Sequence, residues 1–515
     1  MRIDRKITAR LLCGLLLSLV SHAALAQQAP GEEERRRIEQ KLDELNALKA
    51  DLDARIQELQ TAVRNLAPQL APAKPDNPPP AAVPPATQVY TAEPPDTVAA
   101  QQDKTAPADK QNGIGLSDLW GRYEPGKGYV LLRSRDGEVS LSLIAYIRYL
   151  NQLGLDPTYT DSFGRVKELD RRQDVLLNKV NLTFKGWLFD PDFTYRIWIW
   201  TNQPVMGQTA QVVVGGQFGY SFGDLLNIYG GVAPLPSTRS TNWSYPFWLK
   251  MDNRTMADEF FRGSYTFGYW ADGNWRDFGY RIMIANNLSA LGVDAGQLDS
   301  DFGTVSGALW WMPTTGEFGP NLGFGDYEYH EKFATLFGVH FTHSREDSQA
   351  QPSADAFENS QIRLSDGTQI FQPNAFNTDG QIRKATYQML DLNAGFKYRG
   401  WSLEGEYYFR WVGDFQTIGF IPVTSLFDHG FQLQTSAMLM RDVLQVYLSG
   451  SKVFGQYGDP WDLTFGFNLY PFLRREMHIN LQGIYMSRSP VGGLSYPYQV
   501  GANGWILNTD IIVTF

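Results

Sequence analysis

From about Leu116 onward, apolar and polar side chains alternate in short segments, and this period of two decides what the chain can fold into. Val139, Leu141, Leu143, Ala145 and Ile147 alternate with Ser140, Ser142, Ile144, Tyr146 and Arg148. Leu403, Gly405, Tyr407, Phe409 and Trp411 alternate with Glu404, Glu406, Tyr408 and Arg410, and Phe261, Gly263, Tyr265, Phe267 and Tyr269 with Arg262, Ser264 and Thr266. The charged residues keep to one phase, as strands do when one face meets lipid and the other water. The last segment places Trp505, Leu507, Thr509, Ile511, Val513 and a terminal Phe515 on one face. This pattern predicts an all-β, transmembrane, antiparallel barrel over residues 116–515. An aromatic content of 14% in a chain of weak overall hydropathy suits that fold, because alternation dilutes the lipid signal.

The N-terminus reads as an export leader over residues 1–26. Arg2, Arg5, Lys6 and Arg10 precede an apolar run from Leu11 to Val20, and Ala24-Leu25-Ala26 supplies a small-x-small cleavage site. The run is too short to span a bilayer as a helix, which needs about 20 residues. Cys13 lies inside it after the bulky Leu12, so cleavage after Ala26 removes the single cysteine and excludes disulfide and Cys-metal chemistry. Removing those four basic residues and Asp4 from 45 Lys+Arg and 55 Asp+Glu leaves a more acidic chain, the wrong balance for a nucleic-acid partner.

Residues 27–66 are expected to hold a periplasmic coiled coil. Ile38, Leu45, Leu52, Leu59 and Leu66 recur every seven residues, and Leu42, Ile56 and Val63 fill the partner positions, with Lys49 the polar one. Residues 67–115 form a proline-rich spacer of polyproline II character, with runs at Pro78-Pro79-Pro80, Pro84-Pro85 and Pro94-Pro95.

Within 116–515, the alternation selects strands at 138–150, 175–188, 192–201, 209–219, 225–233, 261–271, 276–287, 303–312, 333–343, 387–399, 401–411, 430–439, 443–452, 462–470, 475–486 and 504–515. That is about sixteen strands. With a periplasmic N-terminus, the short turns fall inside and the long loops outside. The inner turns are placed at Phe189-Asp190-Pro191, Phe222-Gly223-Asp224, Asp272-Gly273-Asn274, Arg399-Gly400-Trp401, Arg441-Asp442 and Pro471 to Arg474. Residues 313–332 are too long for an inner turn: they are either an unusual loop or a hidden hairpin that raises the count to eighteen. A barrel this wide has room for an aqueous channel.

The third outer loop, 234–260, carries Arg239, Lys250, Asp252, Arg254, Asp258 and Glu259 among Trp243, Tyr245, Phe247 and Trp248, and is expected to fold inward. Several stretches carry a family resemblance: Pro125-Gly126-Lys127-Gly128-Tyr129, Tyr146-Ile147-Arg148-Tyr149-Leu150, Asp170-Arg171-Arg172-Gln173-Asp174 before Lys179-Val180-Asn181-Leu182, and Asp252-Asn253-Arg254 with Asp258-Glu259-Phe260-Phe261-Arg262. Over residues 125–515 the chain resembles the phosphate-selective porin O and P family, in a branch with an N-terminal coiled coil. The resemblance implies an arginine ladder leading anions to a lysine-lined constriction. The matching cations on the polar phase are Arg148, Lys185, Arg196, Arg262, Arg281, Lys397, Arg399 and Arg410, joined by Arg239, Lys250 and Arg254 from the third loop. Asp252, Asp258, Glu259, Glu404 and Glu406 oppose them, and the third loop has no cluster of closely spaced lysines. A mixed-charge eyelet of this kind equally suits a general hydrophilic porin.

The remaining expectations are a homotrimer in outer-membrane lipid, no cofactor or metal, no nucleic acid, and a coiled coil available to peptidoglycan or a periplasmic protein. A gated export channel or a membrane-to-wall scaffold is the alternative. An enzyme is not expected: His340 and His343 point to opposite faces of one strand, Asp428-His429 lies at a loop end, and Glu328 and His330 lie in the odd inner connection, none in a triad or metal spacing. Intact mass of the purified exported protein should correspond to a start at Gln27; a mass that retains residues 1–26 would overturn the leader.

Overall fold

The computed structural model describes residues 122–124, 127–202, 211–242, 247–251, 254–288, 302–314, 323–348, 362–492 and 498–514; the leader, coiled coil, proline-rich spacer, Asp252 and Phe515 lie outside them. Two short strands, β1 (Arg122–Glu124) and β2 (Gly128–Arg133), lead into β3 (Gly137–Leu155), and a small hairpin follows, β4 (Thr158–Thr160) and β5 (Val166–Glu168). Next come β6 (Gln173–Leu188), β7 (Asp190–Asn202), β8 (Gln211–Ser221) and β9 (Asn227–Pro234), then a short helix, α1 (Met256–Phe261). β10 (Tyr265–Trp275), β11 (Phe278–Ala285), β12 (Thr304–Trp311), β13 (Ala334–Asp347) and β14 (Gln381–Tyr398) continue the sheet. It ends with β15 (Trp401–Ile418), β16 (Leu426–Met440), β17 (Leu444–Phe454), β18 (Trp461–Leu469), β19 (Met477–Ser487) and β20 (Gly504–Thr514).

Each wall strand pairs antiparallel with its sequence neighbour, and β20 returns to β3 with Asp510 opposite Arg148 and Val513 opposite Ala145. The result is a closed barrel of 16 strands, β3 and β6 to β20. β2 adds to the start of β3, and β1 adds to β2. Among the described residues no helix is long and apolar enough to cross a membrane. Closure leaves the wall no free edge whose unpaired N–H and C=O groups would face hydrocarbon, at several kcal/mol each.

The connection 313–332 contributes no strand to the barrel wall among the described residues. β12 pairs directly with β13, from Thr304 opposite Ser344 to Trp311 opposite Phe337, so the count stays at sixteen. One inner turn moves. Asp272-Gly273-Asn274 stays within β10, and the turn is Arg276-Asp277, because Asp272 faces Arg281 across the β10–β11 ladder and pairs with it. The strand expected from residue 261 starts at Tyr265, since Phe261 closes α1 and Arg262 caps it. The β14–β15 turn holds both Arg399 (φ 48°) and Gly400 (φ 84°) in the left-handed region, the backbone that a two-residue hairpin needs.

On the outer surface, aromatic rings gather in two bands. Trp275, Phe278, Trp311 and Phe337 form a chain of neighbouring rings at the short-turn end. Tyr407, Phe409, Trp411, Phe427, His429 and Phe454, then Trp461, Tyr485 and Trp505, form the band at the long-loop end. Between them Ile282, Leu309, Leu392, Leu433, Leu448 and Leu507 are exposed. Two rings of aromatics around an aliphatic belt are the signature of a barrel that sits in a bilayer. Inside, the polar phase is buried: Ser140, Thr342, Asn393, Gln434, Asn480 and Asn508 all face the lumen.

Leu433 lies at mid-height on the outward face of β16. Leu433→Arg should cost about 2–4 kcal/mol in denaturant titration of the barrel in lipid vesicles. The inward neighbour change Gln434→Ala should cost much less, and equal losses would overturn the assignment of faces.

Candidate functional site

The third loop, between β9 and β10, crosses the lumen and is fastened along its length to the far wall. Thr255 caps α1, accepting a hydrogen bond from the Asp258 main chain, and Asp258 and Glu259 occupy the first turn where the helix dipole favours acids. Wall side chains complete the cap: Asp462 Oδ1 accepts from Met256 N (3.3 Å) and Ser451 Oγ from Ala257 N (2.9 Å). Lys250 Nζ reaches Asp462 Oδ2 at 3.2 Å and the Tyr498 hydroxyl at 2.7 Å. Earlier in the loop, Arg239 donates its main-chain N–H to Glu406 Oε1 (2.7 Å) and sets its guanidinium 3.3 Å from Glu404. Arg254 lies between Asp258 (3.7 Å) and Glu259 (3.6 Å), over the Trp248 ring. Arg262 pairs with Glu259 at 2.5 Å.

Arg410 binds the far end of the loop. It pairs with Asp428 at 2.7 Å, donates to the main-chain oxygens of Phe260 (3.4 Å) and Arg363 (2.8 Å), and stacks 3.9 Å above the Phe260 ring. The Tyr387 hydroxyl donates to the Phe261 carbonyl, and the Phe261 ring stacks on Tyr408. Gly430 is required beneath it, because a Cβ there would come within 2.8 Å of that ring.

Two other segments close in on the same region. From the short-turn end, Phe324 N donates to Phe247 O (2.8 Å) and Lys397 Nζ to Gly323 O (2.7 Å), so the connection after β12 meets the third loop inside the barrel. At the long-loop end, the β4–β5 hairpin is tied to 362–376 and to Tyr457. Arg165 donates to Asn374 O, Ser162 N to Asp366 Oδ2 and Ser162 Oγ to Tyr457 O, while Phe163, Phe376 and Tyr457 pack as rings.

The inward side chains of β13 to β20 are therefore largely buried, whereas on β6 and β7 Lys179, Asn181, Lys185, Thr194 and Arg196 are half-buried, beside the buried Thr183, Trp198 and Trp200. Lys185 and Arg196 face one another in register, and Lys179 lies 5.0 Å from the Trp200 ring. A bulge at Leu177–Lys179 sets this geometry, flipping the phase of β6 so that Val175 and Leu177 point outward and Lys179, Thr183 and Lys185 inward.

The candidate cations fall into groups. Arg148 (to Asp510, 2.6 Å), Arg281 (to Asp272, 2.8 Å), Arg239, Lys250, Arg254, Arg262 and Arg410 are engaged in ion pairs inside the barrel. Lys185, Arg196 and Lys397 lie on the wall. Arg262 is in the loop and not on a strand. Arg399 is exposed in the β14–β15 turn over Tyr398, away from the lumen, because the two-residue hairpin turns it outward. Sequence reasoning missed the acidic partners Asp272, Asp428, Asp462 and Asp510, and also Lys179. Strand phase marked Lys179, Asp462 and Asp510, whereas Asp272 fell in an expected turn and Asp428 at an expected loop end; only three-dimensional pairing shows which cation each acid holds.

No protein-family model matches the chain, and no curated protein matches it. Among solved structures, an anion-selective porin from Comamonas acidovorans is 12% identical with a TM-score of 0.44, covering 74% of this chain and 100% of its own. The outer membrane channel DcaP of Acinetobacter baumannii is 7% identical with a TM-score of 0.43, over 75% and 99%. Outer-membrane expressed OmpT of Vibrio cholerae is 8% identical with a TM-score of 0.44, over 75% and 99%. These are distant barrels, and what they pass belongs to them.

Asp326, Glu328 and His330 come together with side-chain ligand atoms within 4.8 Å of one another. Asp326 is already committed: it accepts from His330 N, His330 Nδ1 and Gly400 N, while Arg475 pairs with Glu328. Burial would raise the Asp326 pKa, but the hydrogen bonds from His330 and Gly400 outweigh it and hold it below the usual carboxylate range. The cluster fastens the connection after β12 to the β14–β15 turn.

Arg410→Ala leaves Asp428 buried without its partner and should cost about 3–5 kcal/mol in denaturant titration; an apolar pair, Arg410→Met with Asp428→Leu, should recover much of it. Loss below about 1 kcal/mol for the single change would remove Arg410 as a fastener. At the hairpin, burial raises the Asp161 pKa, but hydrogen bonds from Arg165 and Phe163 outweigh it and hold it below 3.8. Such a depressed carboxylate stabilises the fold above pH 3.8 and loses that contribution as pH falls further. Rate-corrected hydrogen exchange over 158–168 should therefore rise below that pH in the native protein and be pH-insensitive in Asp161→Asn.

Proposed function

We propose that this chain is an outer-membrane porin whose water-filled passage carries small hydrophilic solutes by passive diffusion, with a mild preference for anions such as phosphate. The observation that carries this reading is the placement of charge in the closed barrel. The third loop is pinned to the β14–β19 wall by pairs that consume most of the acids and arginines on that side. The half-buried lumen side along β6 and β7 presents Lys179, Lys185 and Arg196. Cations on the wall of a narrow, low-dielectric passage raise the local concentration of anions. Arginine adds a planar donor fork suited to phosphate oxygens. Ion pairs inside the barrel produce little net field, so the selectivity expected is weak.

The reading places the short turns and the N-terminal coiled coil in the periplasm and the long loops outside, in a homotrimer whose assembly the heptad stripe can support. Native mass spectrometry in mild detergent should give a trimer; a monomer would overturn that part.

In planar bilayers under a KCl gradient, the reversal potential should indicate weak anion preference. Lys185→Glu with Arg196→Glu should move it towards cations, and strong cation preference in the native protein would refute the assignment. A closed pore that opens on deletion of 27–112 would instead identify a gated export channel, and silence in both forms a scaffold.

A further inference from the structure

At the long-loop end of β13 and β14, the outward face changes over two rows from apolar to cationic. Successive outward positions of β13 are Val339, Phe341, His343 and Arg345, with Val339 opposite Leu392, Phe341 opposite Leu390, His343 opposite Gln388 and Arg345 opposite Thr386. Gln388 in turn faces Trp411, a member of the upper aromatic band, so His343 stands at the height of that band and Arg345 one row beyond it. A row of two residues advances about 6.6 Å along a strand. The β14–β15 register shifts on either side of Lys384, where Arg383 and Lys384 are both exposed, as is Arg345. Asp347 lies opposite Lys384 and the exposed Asp414 sits in the same register shift of β15, so two acids offset two of the three cations and leave the patch with a net charge of +1.

We propose that this patch docks a phosphate-bearing acyl lipid of the leaflet at the long-loop end. The guanidinium groups of Arg345 and Arg383 and the Lys384 ammonium take the headgroup phosphates, with His343 and Gln388 as further polar contacts. The acyl chains lie along Phe341, Leu390, Leu392 and Val339, of which Phe341 is 48% and Leu392 46% exposed. Two features point to a lipid. The cations face outward, away from the lumen, and they border an apolar strip that free phosphate could not use. Each cation near an acidic headgroup is worth roughly fivefold in affinity, and arginine's fork matches phosphate geometry. The site rests on the membrane-spanning reading of the barrel but is independent of whether the lumen conducts.

The test is lipid retention by the full-length protein in a neutral detergent, read by native mass spectrometry with diphosphoryl lipid A or with phosphatidylcholine. Arg345→Glu with Lys384→Glu should reduce lipid A adducts by about tenfold or more and leave phosphatidylcholine adducts unchanged. Arg276→Glu with Lys332→Glu, an equal charge change on exposed residues at the short-turn end, should leave both unchanged. Heat-modifiable gel mobility checks that all variants are folded. Unchanged lipid A retention, an equal loss in the control variant, displacement of the lipid by inorganic phosphate, or loss of oligomer mass in place of lipid would each overturn the proposal. A protein that binds lipid A as expected yet conducts nothing would sink the porin reading and leave this one standing.

Discussion

Hydrocarbon offers no hydrogen-bond partner to a peptide group, and every other feature of this structure follows from that constraint. A strand in lipid must be bonded on both sides, so the sheet can end only by meeting its own beginning. β20 does so against β3, and the two aromatic bands then sit where the hydrocarbon stops. The alternation in the sequence is the same constraint written in side chains, since consecutive residues of a closed wall face opposite solvents.

Closure also creates an interior that must be filled or wetted, and here much of it is filled. The third loop, the connection after β12 and the loops at the outer mouth pack into it and bring their main-chain groups with them. Those groups need partners, which explains why so many luminal acids and arginines are bound to loop backbone as well as to each other: Glu406 to Arg239 N, Asp462 to Met256 N, Arg410 to Phe260 O and Arg363 O. A charge that holds a loop in place is largely neutralised by its partner. On β6 and β7 the luminal face carries the half-buried cations Lys179, Lys185 and Arg196.

Much of the barrel was legible because period two is a strong signal. Each of the sixteen segments overlaps one wall strand, and the charged phase of β15 proved to be the luminal one. The failures have local causes. Phe261 and Arg262 continue a strand-like alternation into a segment whose capping residue Thr255 and early acids favour a helix. Asp272-Gly273-Asn274 has turn chemistry, yet the pairing of Asp272 with Arg281 keeps it in the ladder. Arg399 shares the spacing of a strand but lies one residue past its end. At the candidate site the residue types could be read from phase, while the pairing could not, because partners such as Lys250 and Asp462 are brought together only by the fold of a loop.

The seam has a further consequence. Arg148 and Asp510 are 362 residues apart and form a fully buried pair within the strand ladder that closes the wall. Contacts of such long range cannot form until nearly the whole chain is available, so the cylinder is sealed late. Until then β3 and β20 each present a row of unmet backbone groups, and one is a template for the other. Any cellular factor that shepherds this protein into a bilayer has to shield two open margins at once, and release is naturally timed to the moment when its first and last strands find each other.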